Sequence, residues 1–457
     1  MLDSSVFKAY DVRGIYPTQI DEDGAYATGR AYVDFLEPVS VAVARDMRTM
    51  APAVSEALVR GLRDGGASVI DIGMAGTEML YFTVASMGLD GGIMVTASHN
   101  PGEYIGMKVV KRDAQPVGMD SGLDKVRDLA TRADTPPPAA TRGGYEQRDV
   151  HAAFLDKVLE FVDIEAIRPM TVVMDAANGL GGWMVDPLLE RLPLTVHRYN
   201  FEPDGSFPNH EPNPLLEENR QFVIEKVREH GADLGIAWDG DADRCFFIDD
   251  TGEFVPGDFV TALLAQLTLR RQPGAKVLYD IRASRAVADT IEEAGGTAIA
   301  SRVGHAFIKQ RMKREQAAFA GEVSGHYYFQ DFYGVDTGIV PALMMLQLVS
   351  ESGGPLSQLV EPLRNTYFIS GEINSTVHDV PMKLQQLKER YADAQITHVD
   401  GVSVDYDDWH FNVRPSNTEP LLRLNLEAFS QHEMEQRRDE VLGLIRSEST
   451  ERIGHAR

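Results

Sequence analysis

A chain of 457 residues is longer than one hydrophobic core organises and divides into roughly three or four domains of ~100–150 residues each. Its composition, 43% hydrophobic and 25% charged, is that of a globular protein, while a formal net charge of -25 argues against binding nucleic acids or anionic membranes, which require a basic face. A small anionic ligand is not excluded, because local charge governs a pocket: Arg13, Arg45, Arg48, Lys108, Arg244, Arg282, Arg285, Lys309, Arg414 and Arg423 recur in glycine- and turn-rich stretches and predict an anion pocket.

In chain order, Met1 to Phe7 has neither the basic start nor the apolar core of a secretory leader. From about Pro52 to Arg63, Val54, Leu58, Val59 and Leu62 recur at helical spacing; Gly65-Gly66 ends the helix and Val69-Ile70 begins a strand. The same unit returns as Val172-Val173-Met174 leading into Asn178-Gly179. It returns again as Val277-Leu278-Tyr279 leading into a helix after Ser284, closed by Gly295-Gly296 before a strand at Thr297 to Ala300. Three copies of one strand–helix plan predict three α/β domains. Ile339 to Val349, the longest apolar run, is interrupted by Gln347 and is too short to cross a bilayer, so it reads as a buried helix.

Boundaries are expected at the linker-like Asp134 to Pro138 and Gly143-Gly144, at the turn Asp249-Asp250-Thr251-Gly252, and near Glu361 to Asn365. They predict units at 1–145, 146–252, 253–364 and 365–457. In the last unit, strands around Ile373, Val402 to Val404, Phe411 to Val413 and Leu422 to Leu426 mix with helices near Met382 to Tyr391 and Met434 to Ile445. This is the pattern of a smaller α+β domain with a mostly antiparallel sheet. The single Cys245 excludes a disulfide within the chain and suits a reducing compartment, so a cytoplasmic location is expected.

Four short stretches carry chemistry. Thr96-Ala97-Ser98-His99-Asn100-Pro101 follows the apolar run Ile93-Met94-Val95, which places Ser98 at the carboxyl end of a buried strand, where open α/β sheets bind ligands. His99 and Lys108 are close by, although Ser, Asn and Pro also make ordinary turns. Asp239-Gly240-Asp241-Ala242-Asp243-Arg244 lies between two apolar strands, and alternating carboxylates on a tight loop converge on an oxygen-only site for a hard divalent cation. With a phosphate oxygen added, such a site suits Mg2+ in phosphoryl transfer. A calcium loop of EF-hand type also begins Asp-x-Asp-x-Asp, but it needs Gly and Glu where Arg244 and Asp250 stand. A polar turn without metal leaves three carboxylates to repel one another.

Gly321-Glu322-Val323-Ser324-Gly325-His326 sets a carboxylate and a hydroxyl at alternate positions, which suits adjacent hydroxyls of a pyranose ring, with His326 as a proton carrier or phosphate donor. A glycine-flanked surface turn is the other reading of that hexapeptide. Arg414-Pro415-Ser416-Asn417-Thr418-Glu419-Pro420 gathers amides, hydroxyls and a guanidinium on one turn, with Arg423 close enough to join. That is how proteins hold a phosphate they do not break, although a loop or cap of Ser, Asn and Thr has the same composition.

In this order and at domain-sized intervals, the four stretches resemble the α-D-phosphohexomutase superfamily, of the phosphomannomutase/phosphoglucomutase type, across essentially the whole chain. Tyr10-Asp11-Val12-Arg13-Gly14, Arg45-Asp46, Asp204-Gly205-Ser206-Phe207-Pro208 and Val303-Gly304-His305 agree with it. The resemblance implies four domains around a central cleft, the first three α/β with mixed sheets and the fourth a smaller α+β domain of TATA-box-binding-like fold. It implies Ser98 as a phosphoserine that donates a phosphoryl group and recovers one, and Asp239, Asp241 and Asp243 as holders of Mg2+ together with an oxygen on Ser98. Lys108 and His326 would move protons with Arg244 beside the reacting group, and Glu322 and Ser324 would grip two ring hydroxyls. Arg414, Ser416, Asn417, Thr418 and Arg423 would anchor the non-reacting phosphate, and Tyr10, Arg13, His99, Arg282 and His305 would line the cleft. Mg2+, a hexose 1,6-bisphosphate primer and a phosphorylated hexose substrate are implied, with the protein a monomer or homodimer that binds neither nucleic acid nor membrane.

The chain departs from the pattern at three positions. Ile105 stands where the family's Asn-Gly-x-Lys segment usually has Asn, which implies a lost polar contact near Lys108. Ala44 replaces the usual Gly before Arg45-Asp46, and Arg282 stands where some members have Lys, keeping the charge but losing a titratable amine. The apolar Val323 resembles phosphomannomutases and dual-specific members, so interconversion of mannose 6-phosphate and mannose 1-phosphate is expected, with phosphoglucomutase or dual activity as the alternative. A serine hydrolase would lack the Gly-x-Ser-x-Gly elbow and leave the carboxylate loop without a role. A non-catalytic phosphosugar-binding protein would carry the same loops but no phosphate on Ser98.

Overall fold

Burial along each segment accounts for the elements of the computed structural model, which describes residues 2–134, 136–416 and 421–447. In the helix Ala51–Asp64, Val54, Leu58 and Leu62 are buried while Pro52, Glu56 and Arg60 face outward. Every residue of the strand Gly91–Val95 is buried, as expected where helices cover both faces of a sheet.

Among the described residues there are four sheets. In the first, Gly91–Val95 runs parallel to Ser40–Arg45, which runs parallel to Ser68–Met74, and the chain then returns antiparallel as Tyr104–Lys111. The second repeats the plan: Leu234–Trp238 is parallel to Met170–Asp175 and antiparallel to Cys245–Asp249. So does the third, where Phe319–Gly321 is parallel to Lys276–Asp280 and antiparallel to Tyr327–Phe329. Each of the three motif loops, at 96–101, 239–244 and 322–326, therefore joins a parallel strand at its carboxyl end to an antiparallel return strand. The mixed sheets are what place the chemistry. The fourth sheet is wholly antiparallel, with Trp409–Pro415 and Leu421–Ala428 flanking the fourth motif and Arg414 directly opposite Arg423.

One continuous core runs through the first three units, from Met94 through Met184 and Trp238 to Phe259 and Leu343, whereas the fourth has its own around Val404, Phe411, Leu424 and Val441. The apolar run at 339–349 is the buried part of the helix Ile339–Ser352. Glu78 of the first unit accepts the amides of Gly338 (3.2 Å) and Ile339 (3.3 Å) at the start of that helix. No helix of the described residues is long and apolar enough to cross a membrane.

Two expected boundaries cut through elements. Tyr145–Gln147 is a strand of the first sheet, paired with Ser68–Met74, so that sheet extends past residue 145. Residues 361–365 lie inside the helix Leu356–Thr366, with Pro362 accommodated within it.

The fourth unit meets the third partly through buried titratable groups. Glu427, 2% exposed, accepts the Arg285 amide at 3.2 Å at the start of the helix Arg285–Glu293. Burial pushes its carboxyl up to about 7, with Asp258 adding to the rise, and burial likewise pushes the neighbouring His410 down to about 3. Because the unfolded value is ~4.3, folded Glu427 keeps its proton up to about 7, and its own contribution to stability falls as pH rises through that window by roughly 4 kcal/mol. His410, which gives up its proton on folding, contributes in the opposite sense below its unfolded value of ~6.5. Glu427→Gln is therefore expected to melt above wild type at pH 8, with the gap narrowing as the pH approaches the unfolded-state value. A gap that does not change with pH would contradict this.

Candidate active site

Ser98 sits where the buried strand Gly91–Val95 gives out, with a backbone φ of 51°, a left-handed conformation uncommon for a residue with a Cβ. The loop is held from both sides. Thr96 Oγ1 accepts the Ser98 amide at 2.8 Å. Arg48, 1% exposed, donates to the carbonyls of Ser98 (2.9 Å), Asn100 (2.6 Å), Pro101 (2.6 Å) and Tyr104 (3.0 Å), and through Nε to Asp46 (3.1 Å). Phe207 lies over its guanidinium at 5.2 Å, and the segment approaches so closely that a Cβ on Gly205 would stand 2.4 Å from the Arg48 Cα. Arg48, expected in the anion pocket, spends its donors on the loop that carries Ser98.

The carboxylate loop meets Ser98 across the boundary between two units. A Cβ on Gly240 would lie 2.5 Å from the Ser98 carbonyl oxygen, so only glycine lets the two loops touch. Ser98 Oγ donates to Asp239 Oδ2 at 3.0 Å and lies 3.2 Å from His99 Nδ1. Asp239 also receives Arg244 Nε at 2.9 Å. Lys108 Nζ donates to Asp241 Oδ2 at 2.6 Å and to Asp243. At the start of the helix Thr77–Ser86, the Thr77 amide donates to the Asp241 carbonyl at 3.1 Å and its hydroxyl to the Asp241 carboxylate. Burial pushes Asp239 upward against the pull of Arg244. For Asp241 and Asp243 burial acts the same way, but Lys108, together with Thr77 at Asp241 and Arg244 at Asp243, holds both below the ordinary carboxylate value.

This donor set fits a hard divalent cation. Oxygens of Asp239, Asp241 and Asp243 lie within 4.8 Å of one another. The Oδ1 atoms of Asp241 and Asp243 are buried without a hydrogen-bond partner, as expected of atoms built to ligate. The flanking strands, antiparallel over five residue pairs, rule out the helix–loop–helix of a calcium hand.

On the third unit, Ser324 Oγ donates to Glu322 Oε2 at 3.1 Å and lies 3.1 Å from His326 Nδ1, and the Tyr328 hydroxyl donates to Glu322 Oε1. Burial pushes the Glu322 carboxyl up to about 7. His326 Nε2 stands 3.6 Å from Asp243, and its ring stacks with His305 at 6.3 Å, which meets Tyr10 edge-on at 5.4 Å. Burial drives His99, His305 and His326 well below the usual histidine value, so all three are neutral near pH 7. Arg13 donates to Asn100 Oδ1 at 2.6 Å and to Asp11. Arg282 is clamped by two 2.9 Å bonds from Nε and Nη2 to Asp280 and stands 3.8 Å from Glu322. Arg414 and Arg423 both bond Glu372 at 3.0 Å, and the Ser416 amide donates to Leu421 at 2.9 Å. Asn417 and Thr418 lie outside the described residues.

Four family models cover nearly the whole chain in sequence. Those of phosphoglucomutase/phosphomannomutase alpha/beta/alpha domains I, II and III match residues 4–136, 152–252 and 256–367, and that of the C-terminal domain matches 372–444. The chain belongs to the phosphoglucomutase/phosphomannomutase family. It is 44% identical over 443 residues to a protein described as phosphohexose mutases from Xanthomonas campestris, with 96% of this chain and 99% of that one covered. It is 42% identical over 450 residues to a phosphomannomutase of Salmonella montevideo, with 96% and 99% covered. The crystal structure of a phosphoglucomutase/phosphomannomutase family protein from Burkholderia thailandensis superposes with a TM-score of 0.89 at 32% identity, covering 97% of this chain and 98% of that one. As a member of this phosphohexomutase family the protein is an enzyme of the mutase type, with four domains of which the first three carry mixed sheets.

Ile105, where the family pattern has Asn, packs among apolar side chains. It is fully buried in the strand Tyr104–Lys111 opposite Gly14, within the core of the first unit. Ala44 is equally buried in its strand. Sequence reasoning missed Thr77, Glu78, Tyr328, Glu372 and Asp336, and misread Arg48 and Lys309 as pocket cations. Lys309 is fully buried, 2.7 Å from Asp336 and 4.1 Å above the Tyr81 ring. The one available signal was the Arg45-Asp46-Met47-Arg48 string beside the Ser98 loop.

Proposed function

We propose that the enzyme is a phosphomannomutase, interconverting mannose 6-phosphate and mannose 1-phosphate with Ser98 as the residue that donates and recovers the phosphoryl group. The observation that carries this reading is Ser98 Oγ at 3.0 Å from Asp239, at the head of three converging buried carboxylates. Asp239, Asp241 and Asp243 would hold Mg2+, which when bound offsets charge on the transferring phosphoryl oxygens.

The chain's own residues do the rest. Glu322 and Ser324 grip ring hydroxyls, and Arg414, Ser416 and Arg423, with Asn417 and Thr418, hold the phosphate that is not reacting. The hydroxyl that attacks phospho-Ser98 loses its proton to His326, which is neutral near pH 7 and stands 3.6 Å from Asp243, whereas Lys108, kept protonated between Asp241 and Asp243, is the group that can return one. Arg244 keeps Asp239 aligned with Ser98, and Tyr10, Arg13, His99, Arg282 and His305 line the space in which the hexose bisphosphate turns end for end. Dephosphorylation of the opposite end restores phospho-Ser98, and a hexose 1,6-bisphosphate primes the cycle. The protein would work as a monomer or homodimer. The buried, unpaired Cys245 favours the cytoplasm.

A coupled assay containing Mg2+ and a trace of glucose 1,6-bisphosphate tests the assignment. Mannose 1-phosphate is expected to turn over at least as fast as glucose 1-phosphate, with activity lost to a chelator and restored by Mg2+. Faster turnover of glucose 1-phosphate would move the assignment to phosphoglucomutase, and turnover of neither would overturn it.

A further inference from the structure

Three guanidiniums from two units converge on one carboxylate. Glu372, next to the strand Ile373–Thr376, accepts Arg282 Nη1 (3.3 Å) and Arg414 Nη2 (3.0 Å) on Oε2 and Arg423 Nη1 (3.0 Å) on Oε1. Arg414 and Arg423 face each other across their hairpin, in the fourth unit. Arg282 belongs to the third, where Asp280 clamps it 3.8 Å from Glu322. An unbroken line of charge-assisted contacts thus runs from Glu322 through Arg282 and Glu372 to the two arginines beside the phosphate loop. Burial works against the Glu372 carboxylate, but Arg282, Arg414 and Arg423 outweigh it and hold its pKa down at about 2, so it is charged under all working conditions. A guanidinium carries several N–H donors, so an arginine that gives one to Glu372 is not thereby used up.

We propose that Glu372 is a positioning residue that sets the spacing between the sugar grip and the phosphate anchor, and so selects phosphates carried on a hexose over free phosphate. This rests on the phosphohexose reading above. A ligand that engages both arms gains from having them pre-set at one distance, whereas inorganic phosphate engages one arm and gains nothing. Glu372 lies against positive charge that an incoming phosphate also seeks, so its own charge opposes anion binding as such.

Glu372→Gln keeps the side-chain shape and removes the charge. Its KM for mannose 1-phosphate, and its Kd for glucose 1-phosphate by calorimetry, should rise about tenfold or more, the size of an ordinary coupling between sites. Its kcat should stay within about threefold and its Kd for inorganic phosphate should stay equal or tighten. Glu372→Asp, with a shorter reach, should fall between. A merely structural role would weaken both ligands together and lower the melting temperature in step, which would overturn the proposal, as would an unchanged hexose phosphate affinity. Failure of the wild type to turn over any hexose phosphate would instead overturn the functional reading, and the ratio of the two binding constants would still report on Glu372.

Discussion

Ser98→Ala is expected to lose turnover of every hexose phosphate, by about 10⁴-fold or more, while still binding them. Phosphate monoesters are among the slowest of biological bonds to break unaided, so a site without its acceptor hydroxyl has no alternative route. The adjacent Thr96 hydroxyl offers none, since it is committed to the Ser98 amide at 2.8 Å. Folding should change little: Asp239 keeps Arg244 when the Ser98 hydroxyl is removed, and alanine adopts the same backbone as readily as serine. Steady-state kinetics paired with calorimetric binding of glucose 1-phosphate separates the two effects. Retained turnover would place the acceptor elsewhere.

Arg48→Met should also slow turnover, though less than Ser98→Ala, from a position that never meets the substrate. It strips the donor from four loop carbonyls and leaves Asp46, which burial already pushes toward its neutral form, without the cation that opposes this. Breaking a buried pair in this way costs about 3–5 kcal/mol. More tellingly, Ser98 holds a left-handed conformation only because its surroundings impose it, and a displacement of ~1 Å at a reacting atom costs on the order of 100-fold in rate. We expect kcat to fall by about that factor with KM nearly unchanged, because the sugar and phosphate arms sit on other units. Arg48→Lys should recover little, since one ammonium cannot reach four carbonyls. A variant that melts earlier but keeps its kcat would reduce Arg48 to a stabilising role.

These two residues also show what a sequence discloses. Ser98 was legible because the chemistry of its loop is local: a hydroxyl, an imidazole and a proline follow an apolar strand within a few positions. The same holds for the alternating carboxylates and for the Glu322-Ser324 pair, each confined to one hairpin turn. Arg48 was read as an anion binder because sequence shows its charge and not its partners, which lie about fifty residues on. Glu78 reaches helix amides 260 positions away, and Glu372 gathers arginines from both sides of it in the chain, so neither leaves a local trace. Ile105 misled in the opposite sense. A position read for polarity proved to be a core position of a β-strand. The last boundary, expected near Glu361 to Asn365, falls inside the helix Leu356–Thr366, which runs on through Pro362.

Passage of phosphoryl groups through Ser98 is read directly by intact-protein and tandem mass spectrometry. Dephosphorylated enzyme mixed with glucose 1,6-bisphosphate and Mg2+ should gain one phosphoryl group, localised to Ser98, and mannose 1-phosphate should then remove it as a mannose bisphosphate forms. A phosphoryl group found on another residue, or one on Ser98 that mannose 1-phosphate leaves in place, would contradict the account.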